Sequence, residues 1–186
     1  MGGDNAPESV IGGIDILEDE VRKECLFLLY GDQEKINRLL NKYKKVRDCS
    51  KVIHTSIYIS SDEKPSIAIR KSKDSSMRLA IEAIKNSEAD AAISAGNTGA
   101  LMAISKLILK TIIGIDRPAL ITLMPNLLGR STALLDMGAN IDCDSTNLHQ
   151  FALMGSAFYK AINNEANPKI GILNVGSEDM KGNDSV

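Results

Sequence analysis

The chain has 186 residues, of which 44% are hydrophobic and 25% charged, and its formal net charge at pH 7 is −2. This size predicts one domain with a sizeable core, and the charge gives no case for a nucleic acid or acidic membrane surface as partner. Aromatic residues are only 4% and tryptophan is absent, which argues against a stacking platform for single-stranded nucleic acid. No apolar run approaches the ~20 residues of a spanning helix, and no signal peptide is evident.

The segments in the first part of the chain are predicted to alternate between helix and strand. Pro7 and Glu8 suit the first turn of a helix. The elements predicted up to residue 85 are a helix with the apolar stripe Val10, Ile14, Leu17 and Val21, a buried strand at 25–30, a helix capped by Asp32, a strand within 52–59, a short helix from Pro65 and a helix containing Met77, Ile81 and Ile84. Between the last two helices, the basic run at 70–78 is either a solvated loop or a contact for an acidic partner.

A strand, a tight turn and a helix are predicted to follow one another at 90–109. Residues 91–93 are small and apolar and predict a buried strand, residues 94–99 are too rich in glycine to extend it, and helical spacing begins at Ala100. Unpaired N–H groups and the helix dipole make such a corner suitable for an anion, phosphate above all. The alternative is an ordinary turn capped by Asn97 or Thr98.

The second part of the chain continues the alternation. Strands are predicted at 119–124, 131–137 and 169–175, and a helix capped by Asp144 or Ser145 lies between the last two. Alternating helices and buried strands predict an α/β fold with a mostly parallel sheet and helices on both faces. Gly96, Gly138 and Gly176 each follow the end of a predicted strand, where such sheets bind ligands. Three corners are therefore predicted to converge on one edge of the sheet.

The polar residues at these corners favour phosphate and oxyanion binding. They are Asp4, Asn97, Thr98, Asp136, Asn140, Asn174 and Glu178, with Arg117 and Lys181 as cations. Arg117 equally suits an ion pair at the surface or in a dimer. No GxGxxG or GxxxxGK[ST] pattern is present, so neither a dinucleotide enzyme nor an NTPase is favoured.

The cysteines and histidines give no case for a metal or redox site. Cys25, Cys49 and Cys143 lack paired spacing and predict free thiols. Cys25 is predicted to be buried in its strand, and Cys143 is weighed as a nucleophile although no histidine is placed beside it in the sequence. His54 and His149 are interpreted as structural or surface residues. No metal and no cofactor is predicted.

Several motifs resemble, in the same order, those of the PlsX family, the phosphate acyltransferases of bacterial phospholipid synthesis. They are Met-Gly-Gly-Asp-Asn-Ala-Pro at 1–7, Ser-Ala-Gly-Asn-Thr-Gly-Ala-Leu at 94–101, Gly-Ile-Asp-Arg-Pro-Ala-Leu at 114–120, Leu-Asp-Met-Gly-Ala-Asn at 135–140, and Asn-Pro-Lys-Ile-Gly-Ile-Leu-Asn-Val-Gly at 167–176 with Lys181-Gly182-Asn183. The segment at 143–147 differs from the Lys-Pro-Glu-His type expected there.

The resemblance implies a Rossmann-like fold related to the isopropylmalate dehydrogenase group and the phosphotransacetylases. The family usually has a strand before Met-Gly-Gly-Asp and continues well beyond Lys-Gly-Asn. Residues 1–186 are therefore expected to form a single α/β domain, part of a PlsX-like domain that is incomplete at both ends.

The resemblance also implies a reaction, in which inorganic phosphate attacks the thioester of a fatty acyl–acyl-carrier-protein to give acyl phosphate and free carrier protein. The acyl phosphate would feed a membrane glycerol-3-phosphate acyltransferase, and the enzyme would be a cytoplasmic homodimer peripherally associated with the membrane. Two alternatives stay open: a short-chain phosphotransacetylase, which would turn over acetyl-CoA, and a non-catalytic remnant of a truncated gene.

Site residues follow from the matching motifs. Lys181 is expected to stabilise the oxyanion, with Asn97 and Asn140 as catalytic partners. Phosphate or substrate is expected to contact Gly3, Asp4, Ser94, Gly96, Thr98, Gly99, Arg117, Asp136, Gly138, Asn174, Gly176 and Glu178.

Overall fold

Helices and short strands alternate along the described part of the computed structural model, which comprises residues 1–140, 142–176 and 181–182. This alternation confirms the predicted α/β class. The chain divides into a first unit, Met1–Lys110, and a second unit, Thr111–Val186.

The first unit contains a parallel strand pair and most of the helices. Its elements are α1 (Glu8–Asp15), α2 (Asp19–Glu24), β1 (Phe27–Gly31), α3 (Gln33–Leu40), α4 (Lys44–Asp48), β2 (Ser50–His54), α5 (Pro65–Lys71), α6 (Ser76–Lys85) and α7 (Thr98–Leu109). In the β1–β2 pair, Phe27 lies opposite Ser50 and Gly31 opposite His54. Parallel neighbours need a crossover connection, which α3 and α4 provide.

Helix starts in the first unit follow local signals in the sequence. Asp32 accepts hydrogen bonds from the backbone N–H groups of Glu34 and Lys35, and therefore caps α3 as predicted. Pro65 is the first residue of α5. These contacts lie within one helical turn, so the sequence alone is sufficient to predict them.

Two hydrophobic clusters form the core of the first unit. One joins α5, α6 and α7 through Ile59, Ala68, Met77, Ile81, Ala100, Ile104 and Ile108. The other packs α1, α3 and α4 against β1 through Ile11, Ile14, Leu29, Ile36, Leu40 and Val46. The two clusters therefore fix the N-terminal end of α7 through Ala100 and fix helix α1 through Ile11 and Ile14.

Three predictions for the first unit are wrong. Residues 91–93 form no strand, and the side chain of Ile93 is 88% exposed, because no strand of the described residues pairs with this segment. The apolar stripe does not lie on one helix, since α1 ends at Asp15 and Val21 is exposed in α2. Cys25 is exposed because β1 begins only at Phe27.

The second unit contains an antiparallel hairpin and a long helix. Its elements are β3 (Ile121–Pro125), β4 (Ser131–Leu135) and α8 (Ser145–Asn163), and Ile121 lies opposite Leu135. A turn at 126–130 joins the strands and is too short for the crossover that parallel pairing needs. The predicted parallel arrangement is therefore wrong for these two strands.

Helix α8 begins as predicted, but the last predicted strand is missing. Asp144 caps α8 in a reciprocal arrangement with Asn147. The hydroxyl of Tyr159 on α8 donates to the carbonyl of Ser131 at 2.9 Å, which holds the helix on the hairpin. Residues 169–175 form no strand, and Leu173 is 87% exposed, since no strand pairs with them among the described residues.

Candidate functional site

In the first unit, the turn at 2–4 lies against the segments at 59–61 and 94–96. Gly2 has a φ of +99°, and a Cβ atom there would overlap the carbonyl oxygen of Ile59. A Cβ atom on Gly3 would lie 2.6 Å from the carbonyl oxygen of Ala95. Both positions therefore need glycine, the first for conformation as well as space. We call this meeting point, with the N-terminal turn of α7, the first corner.

Asn97 holds the first corner together. Its Nδ2 donates to the carbonyl oxygens of Ser60 at 3.2 Å, Ser61 at 2.9 Å and Glu63 at 2.7 Å. Its Oδ1 accepts from the N–H of Ala100 at 2.9 Å and so caps α7. Because the amide has only two N–H bonds, these carbonyls already use its donors.

The remaining predicted residues of the first corner surround this cap. The Ser94 hydroxyl accepts from the N–H of Gly96 at 3.2 Å. Thr98 and Gly99 are the first two residues of α7, where N–H groups have no partner within a helix. The Asp4 carboxylate accepts a hydrogen bond from the Ser61 hydroxyl at 3.1 Å. The corner thus combines backbone N–H groups that have no partner within α7 with one carboxylate.

In the second unit, Asp136 and Asn140 form the second corner, at the end of β4. Asp136 Oδ1 accepts from the N–H groups of Leu120 and Ala139, each at 3.2 Å. Its Oδ2 accepts from the backbone N–H and the Nδ2 of Asn140, at 2.8 and 3.0 Å. Asn140 Nδ2 also donates to the carbonyl of Pro118 at 3.1 Å. Both side chains therefore hold the Gly138 turn, where φ is +87°, against the start of β3.

Arg117 and Cys143 lie near this corner. Nη1 of Arg117 donates to the carbonyl of Asp142 at 2.9 Å. Burial raises the pKa of the Cys143 thiol, the Asp136 carboxylate raises it further, and Arg117 acts in the opposite direction. A raised pKa keeps the thiol protonated, which does not suit a nucleophile.

Asn174 connects to Lys181. Asn174 Nδ2 donates to the Lys181 carbonyl at 3.0 Å, and its Oδ1 accepts from the N–H of Val175 at 2.9 Å. The Lys181 side chain is exposed. Gly176 follows Val175 in the chain, whereas Glu178 and Asn183 lie outside the described residues. The structure therefore joins two of the predicted site residues through the backbone carbonyl of Lys181.

The predicted site residues fall into two sets. Gly3, Asp4, Ser94, Gly96, Asn97, Thr98 and Gly99 belong to the first unit, and Arg117, Asp136, Gly138, Asn140, Asn174, Gly176 and Lys181 to the second. That the two sets share one ligand stays a prediction. Ser61 was not among the candidates, since a serine in a polar turn carries no distinguishing signal; only its contacts single it out.

Metal binding, histidine chemistry and membrane spanning were also considered for the described residues. No group of three or more His, Cys, Asp or Glu side chains there could hold a metal ion. Nδ1 of His54 accepts from the backbone N–H of Gln33 at 3.3 Å, a structural role as interpreted from the sequence. In the same described ranges, no helix is long and apolar enough to cross a membrane.

Comparison with known proteins decides the family. The profile of the family described as fatty acid synthesis protein matches residues 1–186. The chain belongs to this family. The match includes both corners and Lys181, and confirms the resemblance drawn from the motifs.

Curated relatives of this family carry the name "Phosphate acyltransferase". One from Rhodospirillum centenum is 48% identical over 189 residues, covering all of this chain and 52% of the relative. One from a Wolbachia of Brugia malayi is 49% identical, with 54% of the relative covered. One from Ehrlichia canis is 47% identical over 188 residues, with 56% covered. The chain thus spans about half the length of these relatives.

Proposed function

We propose that this chain is part of an enzyme that transfers the acyl group of a fatty acyl–acyl-carrier-protein to inorganic phosphate. The observation that carries the proposal is the family match over residues 1–186 together with relatives named phosphate acyltransferase. The same names favour this function over a phosphotransacetylase. The acyl phosphate formed would be used in phospholipid synthesis.

The reaction needs no nucleophilic side chain. An oxygen of phosphate attacks the thioester carbon, a C–O bond forms, and the carbonyl becomes a tetrahedral oxyanion. Collapse of the oxyanion breaks the C–S bond, and the departing sulfur takes a proton to give free carrier protein. The enzyme must therefore orient a charged nucleophile and stabilise the oxyanion. The raised pKa of Cys143 is consistent with this scheme.

The contacts suggest a separate role for each group of residues in the two corners. In the first corner, the N–H groups of Thr98 and Gly99 would bind phosphate, with Gly3, Ser94 and Gly96 shaping the backbone around it. Asn97 and Asn140, whose amide donors are used by backbone carbonyls and by Asp136, would act by fixing the corners. Lys181 would supply positive charge to the oxyanion, and Arg117 a second cation. Asp136, Gly138, Asn174, Gly176 and Glu178 would complete the substrate-binding surface.

The family resemblance supports a wider setting for the chain. Residues 1–186 would form part of a Rossmann-like domain of the phosphotransacetylase and isopropylmalate dehydrogenase type, a proposal consistent with the β1–β2 crossover. The working protein would be a cytoplasmic homodimer associated peripherally with the membrane. There it would pass acyl phosphate to a glycerol-3-phosphate acyltransferase.

Trapping of acyl phosphate as a hydroxamate tests the proposal. A complete protein containing this chain is incubated with phosphate and either palmitoyl–acyl-carrier-protein or acetyl-CoA. Hydroxamate formed from the carrier-protein thioester alone supports the proposal, whereas turnover of acetyl-CoA alone identifies a phosphotransacetylase. Absence of product from both donors, by a folded protein, overturns the proposal.

A further inference from the structure

The turn between β3 and β4 presents two leucine side chains at its apex. Leu127 is 106% exposed and Leu128 is 84% exposed. The side chains of Leu123 and Met124, at the adjoining end of β3, are exposed as well. We call these four residues the hairpin tip. A patch of neighbouring exposed apolar side chains marks a surface that meets another protein or a membrane.

Asn126 gives the turn a fixed backbone structure. Its Oδ1 accepts from the N–H groups of Leu128 at 3.0 Å and Arg130 at 3.1 Å. Its own N–H donates to the carbonyl of Arg130 at 2.9 Å, and its carbonyl accepts from the N–H of Gly129 at 3.1 Å. These N–H groups are therefore satisfied within the turn, which lowers the cost of moving it out of water and into an apolar medium.

The charge of the hairpin favours an anionic surface as its partner. Arg130 is the only charged residue between 118 and 135, and its side chain is exposed in the turn. A cation beside apolar side chains complements a bilayer whose anionic phosphate groups lie above hydrocarbon. The long stem of an arginine lets its guanidinium stay at the level of the phosphates while neighbouring leucines lie deeper. This preference is local, because the whole chain has a net charge of −2.

We propose that the hairpin tip inserts into the surface of an anionic lipid bilayer, with Leu127 and Leu128 among the acyl chains and Arg130 at the phosphates. The inference rests on the membrane association in the proposed function and names the element that carries it. The available area argues against a second copy of the chain as the partner. The tip offers on the order of 300 Å² of apolar surface, whereas a stable protein interface buries about 800 Å² on each side.

Flotation with lipid vesicles tests the proposal on the 186-residue chain. The unchanged chain is expected to bind vesicles of phosphatidylcholine and phosphatidylglycerol more tightly than vesicles of phosphatidylcholine alone. Leu127→Ser combined with Leu128→Ser is expected to lower the partition coefficient at least about tenfold, because two buried leucine side chains are lost from the bilayer. Arg130→Gln is expected to weaken binding about fivefold on the mixed vesicles only.

Ile112→Ser combined with Ile113→Ser is the matched control. These residues are also adjacent, lie in the same unit and are 79% and 101% exposed, but they are outside the hairpin. Their replacement is expected to leave vesicle binding unchanged. Both pairs of residues are exposed, so each double variant is expected to keep its thermal midpoint. An equal loss of binding in the two double variants indicates unspecific adsorption and overturns the proposal.

Tryptophan fluorescence reports the position of the tip directly. The chain contains no tryptophan, so Leu127→Trp places a single fluorophore at the tip and Ile113→Trp places one elsewhere. With mixed vesicles, the emission of Leu127→Trp is expected to move to shorter wavelength and to be quenched by brominated lipid, whereas that of Ile113→Trp is expected to stay. A shift that appears with rising protein concentration and no lipid identifies a second copy as the partner and overturns the proposal.

Hydroxamate trapping in a complete protein separates this inference from the proposed reaction. Without vesicles, the leucine double variant is expected to form as much acyl phosphate as the unchanged protein, while its vesicle binding is lost. Vesicle binding that survives the double substitution, or is absent from the unchanged folded protein, overturns the inference and leaves the reaction standing. Lack of hydroxamate from the unchanged protein overturns the reaction, whatever the vesicles show.

Discussion

Nδ2 of Asn97 lies 2.7 Å from the carbonyl oxygen of Glu63, while Oδ1 of the same side chain caps α7 through the N–H of Ala100. The Nδ2 donor of Asn97 thus contacts the segment at 60–63 and its Oδ1 acceptor contacts α7, so a substitution can remove one contact and keep the other. Asn97→Asp keeps the cap but places a carboxylate against carbonyl oxygens. The variant is expected to lose about 1–3 kcal/mol of unfolding free energy, measured by urea denaturation. Asn167→Asp adds the same charge at an exposed position and is expected to be neutral; equal losses would contradict the role of Asn97.

The contact of Gly3 with Ala95 gives a second prediction. In Gly3→Ala the new methyl group would lie 2.6 Å from the Ala95 carbonyl oxygen, so the N-terminal turn must move away from the first corner. Thermal denaturation is expected to show a lower midpoint. Gly12→Ala in α1 meets nothing within 4 Å and is expected to stabilise by about 0.5–1 kcal/mol through helix propensity. Similar shifts in both variants would disprove the close approach.

The Asp136 carboxylate is expected to control backbone exchange in the second corner. Asp136→Asn replaces one accepting oxygen by an NH₂ group, so the single remaining oxygen cannot accept from both Leu120 and Asn140, whose N–H groups use different oxygens of Asp136. At least one of these two amides is expected to exchange with solvent about tenfold faster, on the order of one lost hydrogen bond, as followed by NMR. Asp142→Asn is the control, since only the backbone carbonyl of Asp142 is used. Unchanged protection would refute the arrangement.

The reactivity of Cys143 should depend on pH in a way that its neighbours set. Burial and the Asp136 carboxylate raise the thiol pKa, and Arg117 lowers it. Less thiolate is therefore present at a given pH, and the alkylation profile with iodoacetamide, read by mass spectrometry of the Cys143 peptide, lies at higher pH than for a free thiol. Asp136→Asn is expected to move the midpoint down and Arg117→Gln to move it up. Shifts in the same direction would contradict these electrostatic causes.

Lys181 provides the prediction most closely tied to catalysis. In a complete protein, Lys181→Ala is expected to remove most acyl phosphate formation, because the variant lacks the positive charge that would stabilise the oxyanion. The measurement is hydroxamate yield from acyl–acyl-carrier-protein, with Lys169→Ala, at an exposed position outside the proposed site, as the matched control. Near-normal yield in Lys181→Ala would remove this residue from the proposed mechanism.

The features that the sequence alone determined are those that depend on neighbouring residues. Asp32 and Asp144 cap the helices that follow them, and Pro65 begins α5, because each effect acts within one turn of its own helix. The family is also determined at this level, since its motifs are short and ordered along the chain.

Tertiary structure decided those features, strands and long-range hydrogen bonds, that need a partner from a distant part of the chain. The apolar segments at 91–93 and 169–175 are not strands, because a strand forms only where another strand accepts and donates its hydrogen bonds. Ser61 is a serine like its neighbour Ser60 until folding brings Gly2 and Asp4 to its hydroxyl. Sequence spacing carries no information about such a contact, because residues 57 positions apart meet only through packing of the core between them.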